Sequence, residues 1–249
     1  MPKNVCILTT IEDDFFTPAV LEQLSANLKK EISCIVFVSG FASMKRKLFT
    51  FFLLKFSEVF EVLKQKFKHY FTKKVDKFNG IKTKLINNIN SEESIAFFNE
   101  GNFDLIVSIN CNQIIKKNTL DKVPIDFVNF HPGKLPNYRG LFPSFYSLLN
   151  KEREVCLSFH KIDAGIDTGP LMKELIYLIE RKDTVFSLYK KIYLNKKSYN
   201  FIIDCVKNYE LYKKNILNRS DNIIYPYNSY PKIKQVIYFF IKLNIFGKI

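Results

Sequence analysis

The sequence predicts an α/β fold built on a mostly parallel sheet, and three observations carry that expectation. Short apolar runs recur along the chain: "NVCILTT" from Asn4, "SCIVFVSG" from Ser33 and "FDLIVSI" from Phe103. Runs of this length, rich in Val, Ile and Leu and bounded by polar residues, suit strands buried on both faces of a parallel sheet. Segments with helical spacing lie between them. The strand–helix–strand order at the start is that of a Rossmann-type opening.

Each element has its own reason. "TPAVLEQLSANLKK" follows the first strand with helical spacing and Pro18 near its start, where the missing N–H costs nothing. The turn before it reads "TTIEDDFF" and lacks the three spaced glycines of a dinucleotide fingerprint, which argues against a nicotinamide or flavin cofactor. "IKTKLI" alternates like a strand, and "SEESIAFFNE" opens a helix with a capping serine followed by acids. "NCNQIIKKNTLDKV" reads as a loop and short helix leading to a strand through Phe127 and Val128. Beyond it come a helix ("PSFYSLLNKE"), two strands ("VCLSFHKI" and "GPLMKELIYLI") and one long amphipathic helix over residues 184 to 210. Residues 1–210 read as the catalytic domain. A basic, phenylalanine-rich helical insertion falls at about 44–78, and 211–249 form a short C-terminal appendage. Two roles suit the insertion: a helical pair packed on the domain or on a second subunit, and a membrane-surface helix with lysines at the headgroups. His69, among its lysines, reads as a surface residue with no catalytic role.

The bulk numbers restrict the class. The chain has 249 residues, 47% of them hydrophobic and 25% charged, which fits a globular protein rather than a disordered one. Its formal charge of +14 attracts polyanions, but no zinc-finger spacing or arginine-rich run supports nucleic-acid binding. The five cysteines are scattered and odd in number, and several sit in apolar runs, so they read as reduced core thiols of a cytoplasmic protein. The N-terminal apolar run is too short for a signal peptide. "KLFTFFLLKFSEVF" is broken by Lys55 and Glu58 and is unsuited to spanning a bilayer.

Two stretches carry chemistry. In "VNFHPGKLPNYRG", Asn129 and His131 stand two residues apart on a strand and project from one face at its end. In "HKIDAGIDTGPLM", Asp163 and Asp167 flank a glycine in a connection between strands, and such an acid can orient an imidazole and support its protonated form. On residues alone both also have plain readings, a satisfied structural histidine and a turn-forming aspartate. Cys111, Cys156, His131 and His160 match no zinc-ligand spacing, and no metal is expected.

These two stretches, in this order and spacing, resemble the signature of the 10-formyltetrahydrofolate-dependent formyltransferases. That family includes methionyl-tRNA formyltransferase, glycinamide ribonucleotide transformylase and the sugar N-formyltransferases. "FDLIVSINCNQIIKKNTLD" is similar to the segment that precedes the signature. The resemblance implies a Rossmann-like formyltransferase fold and the donor 10-formyltetrahydrofolate. It carries the family's catalytic set onto Asn129, His131 and Asp167, with Asn129 and protonated His131 meeting the oxyanion and Asp167 pairing with His131 and helping to remove the amine proton through water. Its pterin pocket falls on Cys111, Asn112, Gln113 and Ile115 and on Asp163, Ala164, Gly165 and Ile166. Gly133 and Lys134 depart from the usual Ser-Leu after His-Pro, which sets the acceptor side apart from the donor side.

The size and aromatic tail look most like the sugar N-formyltransferases. The resemblance then implies a dTDP- or UDP-linked amino deoxysugar as acceptor, for bacterial O-antigen or capsule. Lys134 and Arg139 would meet its diphosphate, and a homodimer is expected. The alternatives are another amine, such as methionyl-tRNA or a small metabolite, and a non-catalytic homologue that binds a membrane or partner through its basic helices.

Overall fold

A computed structural model describes all residues except 12–14, 40–48, 50–52, 72–77, 79, 218–225 and 246–249. Seven strands form one sheet in the order β3-β2-β1-β4-β5-β6-β7. They are β1 (Val5–Thr10), β2 (Ile32–Val38), β3 (Lys82–Ile86), β4 (Leu105–Ile109), β5 (Phe127–His131), β6 (Glu154–Lys161) and β7 (Leu171–Leu178). The first five are parallel, and β6 and β7 join antiparallel at one side. The chain reverses its direction of travel across the sheet between β1 and β4, the switch point where α/β sheets place ligands at the carboxyl ends of the strands.

Burial follows from the apolar runs. Every residue of β1 and β4 is buried, so both faces of the sheet are covered. Val5, Ile7, Val107, Val128 and Phe130 join one core cluster, and Cys6, Leu8, Ile106 and Phe127 join the other. Alternation at period two sorts them, and each fully buried Val, Leu or Ile side chain contributes about 1.5–3 kcal/mol. On β5 this leaves Asn129 and His131 on the same face as Phe127. The edge strand β3 keeps Lys82 exposed and Lys84 half-buried, a charged edge that blunts pairing with another chain.

The helices are α1 (Thr17–Asn27), α2 (Phe56–Phe71), α3 (Glu92–Glu100), α4 (Lys117–Lys122), α5 (Pro143–Leu149), α6 (Val185–Tyr193), α7 (Lys196–Lys207), α8 (Tyr209–Lys214) and α9 (Ile233–Ile245). Ser91 caps α3 as expected, its hydroxyl accepting the Ser94 N–H at 3.2 Å ahead of Glu92 and Glu93. The long helix expected over 184–210 is instead three, α6, α7 and α8. Asn195 breaks it because its side chain accepts the Lys197 N–H at 2.9 Å and starts α7 afresh. Asn208, with φ −103° and ψ 25°, ends α7 before Tyr209.

Of the insertion, α2 is described, while residues 44–48, 50–52 and 72–77 and the side chain of His69 lie outside the described residues. Glu61 of α2 takes the Lys190 ammonium of α6 at 2.6 Å, and Glu58 accepts the Thr184 hydroxyl. The helix is thus pinned to the domain. Among the described residues no helix is long and apolar enough to cross a membrane. The five cysteines are free thiols.

Candidate active site

Asn129 and His131 stand at the carboxyl end of β5, as the period-two reading required. The antiparallel partner β6 then adds what the strand by itself cannot. Its register sets His160 directly opposite Asn129 and Ser158 opposite His131, on the same face. The loop after β6 turns back over this face and delivers Asp167 onto it. One carboxylate there meets three polar side chains. Oδ2 of Asp167 lies 3.4 Å from His131 Nδ1, and Oδ1 lies 3.5 Å from both His160 Nε2 and Asn129 Nδ2.

The loop holds that carboxylate under tension. Asp167 has φ +51°, in the left-handed region that non-glycine residues seldom occupy. Gly140, at φ +89°, donates its N–H to Asp167 Oδ2 at 2.8 Å, and Arg139 Nε donates to the Ile166 carbonyl at 2.8 Å. Asp163 accepts the Gly165 N–H at 3.1 Å and the Thr168 hydroxyl at 2.5 Å, tightening the turn. Asp163 is therefore spent on the loop, and Asp167 is the acid presented to the histidines.

Burial sets the charges. Burial would raise the Asp167 carboxyl, but His131, His160 and the Gly140 N–H outweigh it and hold the group well below the usual carboxylate range. His131 is 4% exposed, and burial lowers its pKa, with Asp167 and the Tyr138 carbonyl pulling the other way. Its Nε2 lies 2.7 Å from the Tyr138 carbonyl and its Nδ1 3.4 Å from Asp167, both acceptors, and the shorter contact takes the proton of the neutral ring. Nδ1 is then left bare beside Asp167. Gly133 makes this closeness possible: a Cβ on it would stand 2.7 Å from His131 Nε2 and 2.9 Å from the Tyr138 carbonyl.

The other expected site residues divide. Cys111 and Ile162 each pack against the core cluster that holds Phe127, on the face of Asn129 and His131. Asn112 Oδ1 is buried without a hydrogen-bond partner among the described residues. Gln113 is occupied by the backbone, giving its amide N–H groups to Ser39 and Asn87 and accepting the Ile89 N–H at 2.9 Å. Ile115 is buried core. Lys134 forms an ion pair with Glu154. Arg139 adjoins Gly140 and ties to the Asp167 loop as described.

Sequence reading missed two contributors. His160 is 1% exposed and touches both Asn129 and Asp167. The available signal was the pair Ser158 and His160, polar at alternate positions of an otherwise apolar run. The second is Asn228, whose N–H donates to the Arg139 carbonyl at 3.0 Å and whose carbonyl accepts the Leu141 N–H at 2.8 Å. It brackets Gly140, with the Tyr227 ring seated where a Gly140 side chain would go. Nothing local to residues 226–230 announces this.

Comparison with known proteins bears on the family and the fold. A family model described as formyl transferase matches residues 33–204. Methionyl-tRNA formyltransferase of Finegoldia magna is 40% identical over 85 residues, 34% of this chain and 27% of that protein. GDP-perosamine N-formyltransferase of Brucella melitensis is 33% identical over 102 residues, 41% of this chain and 39% of that one. The chain thus spans well under two thirds of the length of these curated relatives. Among solved structures, a sugar N-formyltransferase from Shewanella superposes with a TM-score of 0.59 at 17% identity, covering 95% of this chain and 86% of that one. A sugar 3N-formyl transferase, WlaRD, solved in the presence of dTDP and 5-N-formyl-THF, superposes with a TM-score of 0.55 at 20% identity, covering 91% and 69%. Likeness at such identity bears on the fold, and the family model covers most of the sheet together with both motifs. The chain belongs to the formyl transferase family.

Proposed function

We propose that this site transfers a formyl group from 10-formyltetrahydrofolate to the amine of a nucleotide-linked amino deoxysugar. The observation that carries the reading is the meeting of Asn129, His131 and Asp167 on one buried face, an amide donor beside a base with an ionised partner. Attack of an amine on the formyl carbon creates an oxyanion and releases a proton, and these groups answer both needs. An N–H of Asn129 meets the oxygen. His131 takes the proton at Nδ1, where its bare lone pair becomes an N–H facing Asp167. Asp167 stays ionised and supports the imidazolium; it is not the acid. When the bond from the formyl carbon to the folate nitrogen breaks, His131 returns the proton to that nitrogen.

This assignment differs in two respects from the sequence-based expectation, which gave a proton of His131 to the oxyanion and had Asp167 help remove the amine proton through water. With Nε2–H committed to the Tyr138 carbonyl, the oxyanion falls to Asn129. For the donor, the residues after β4 and the Asp163–Ile166 turn are the proposed pocket, and the unpartnered Oδ1 of Asn112 suits a ring N–H. For the acceptor, Arg139 and Lys134 are the proposed anchors for a diphosphate, and Lys134 would exchange its ion pair with Glu154 for the phosphate. The GDP-perosamine relative and the sugar N-formyltransferase folds support a sugar amine.

The test is tetrahydrofolate release with dTDP-, UDP- and GDP-linked amino sugars and with methionyl-tRNA, using His131→Ala as control. Turnover on one sugar, lost in the variant, supports the whole reading. Turnover on tRNA alone would overturn the acceptor and leave the chemistry. Absence of folate binding would overturn both.

A further inference from the structure

We propose that His160 is a positioning residue for this site, a neutral ring that turns the nitrogen of the Asn129 carboxamide inward and makes it a donor. The inference deepens the formyl-transfer reading and rests on it. The ring is fully enclosed, and its Nδ1 lies 2.9 Å from the Lys161 carbonyl oxygen. A carbonyl only accepts, and at 2.9 Å it lies nearer the ring than Asp167 Oδ1 does at 3.5 Å from Nε2, so Nδ1 carries the proton and Nε2 presents a bare lone pair. That lone pair faces Asn129 Nδ2 at 3.2 Å.

A carboxamide has two ends of similar size, and packing alone does not choose between them. His160 does. With the oxygen turned inward, Nε2 and Asp167 Oδ1 would both face an acceptor and no donor would lie among the three, which costs more than the other orientation. With the nitrogen inward, one N–H is bonded to His160 and the amide plane is set. Among the described residues the second N–H has only Asp167 Oδ1 at 3.5 Å, a long contact that a developing oxyanion replaces at little cost. The Lys161 carbonyl is itself fixed, because the Ile162 N–H in the same peptide plane donates to the Phe127 carbonyl at 2.8 Å. Backbone geometry thus sets the tautomer, the tautomer sets the amide, and the amide meets the reacting oxygen. Second contacts of this kind orient ligating and catalytic groups generally.

The experiment is a double-mutant cycle with Asn129→Ala and His160→Phe, which keeps a flat ring and removes both nitrogens. In the wild-type background His160→Phe should lower kcat by about 10- to 100-fold and leave the KM for the folate within about threefold. In the Asn129→Ala background it should cost nothing further, because the group it orients is gone. Losses that multiply would overturn the proposal and make His160 a plain structural residue. His160→Gln, whose carbonyl can accept the amide N–H, should recover part of the rate. Nitrogen-15 NMR on the wild-type protein without substrate reads the tautomer directly. Proton on Nδ1 and a bare Nε2 are expected, and a proton on Nε2 would overturn the proposal even if His160→Phe fails to fold. Wild-type protein that formylates nothing but shows the Nδ1 proton would sink the formyl-transfer reading and leave the tautomer standing.

Discussion

Replacing Asp167 by Asn separates charge from shape. The new amide keeps an oxygen for the Gly140 N–H at 2.8 Å, so the loop stays in place, and the negative charge leaves together with the long 3.5 Å acceptor contact to Asn129 Nδ2. Its interaction with a protonated His131 is worth roughly 5 kcal/mol at 3.4 Å and an effective dielectric of about 20. Relaxation and neighbouring groups reduce what is felt, and a lost counter-charge at this range lowers an imidazole pKa by about 1–3 units. At 1.36 kcal/mol per unit, proton uptake at Nδ1 becomes about 10- to 1000-fold less favourable, and kcat should fall in that range. The sign is fixed. His131 already titrates below the usual imidazole value because of burial, and Asp167→Asn moves it further down. The acid limb of the kcat/KM profile should therefore shift to lower pH while the maximum rate drops. Folate-release kinetics against pH, with an NMR titration of His131, measure both. A rate within about threefold of wild type with an unmoved titration would refute the argument that this carboxylate supports His131.

Three further predictions follow from other parts of the structure. Gly133→Ser forces a Cβ to within 2.7 Å of both His131 Nε2 and Pro143 Cβ, and should cost about 1–3 kcal/mol in denaturant unfolding and lower kcat; an unchanged midpoint would show that the loop yields freely. Asn228→Pro removes the donor to the Arg139 carbonyl, and should cost about 1 kcal/mol and reduce kcat by about fivefold through the Gly140 N–H, whereas unchanged kinetics would detach residues 226–230 from the site. Asp126 is only 18% exposed and bound by Lys161 and Lys213. Burial opposes its ionisation, but these ammonium groups hold its pKa at about 2. A depressed carboxylate stabilises the fold above its unfolded pKa and loses that contribution as pH falls, so roughly 2 kcal/mol should disappear between about pH 4 and pH 2. Urea unfolding of Asp126→Asn should lack that acid limb.

The parallel core and one half of the site were legible in the chain because the causes are local. An apolar run such as "NVCILTT" buries both faces wherever it sits, and period-two geometry puts Asn129 and His131 side by side with no other strand consulted. Ser91 announced the start of α3 in the same way. Local causes also misled. The apolar stripe over 184–210 continues through Asn195, but a capping side chain prevails over periodicity because it satisfies a backbone N–H that the continued helix would have to pair elsewhere.

What only the tertiary structure decided depends on register and on contacts between distant residues. His160 meets Asn129 because β6 pairs antiparallel with β5 at that register, and a slip of one residue would send it to the other face. Asp167 reaches His131 through a strained turn held by Gly140, and Gly140 is bracketed by Asn228 from the far end of the chain. Proton positions come last of all. The residue type of His131 or His160 leaves the tautomer open, and on the proposed reading the carbonyls of Tyr138 and Lys161 fix it, because they are the nearer acceptors to each ring.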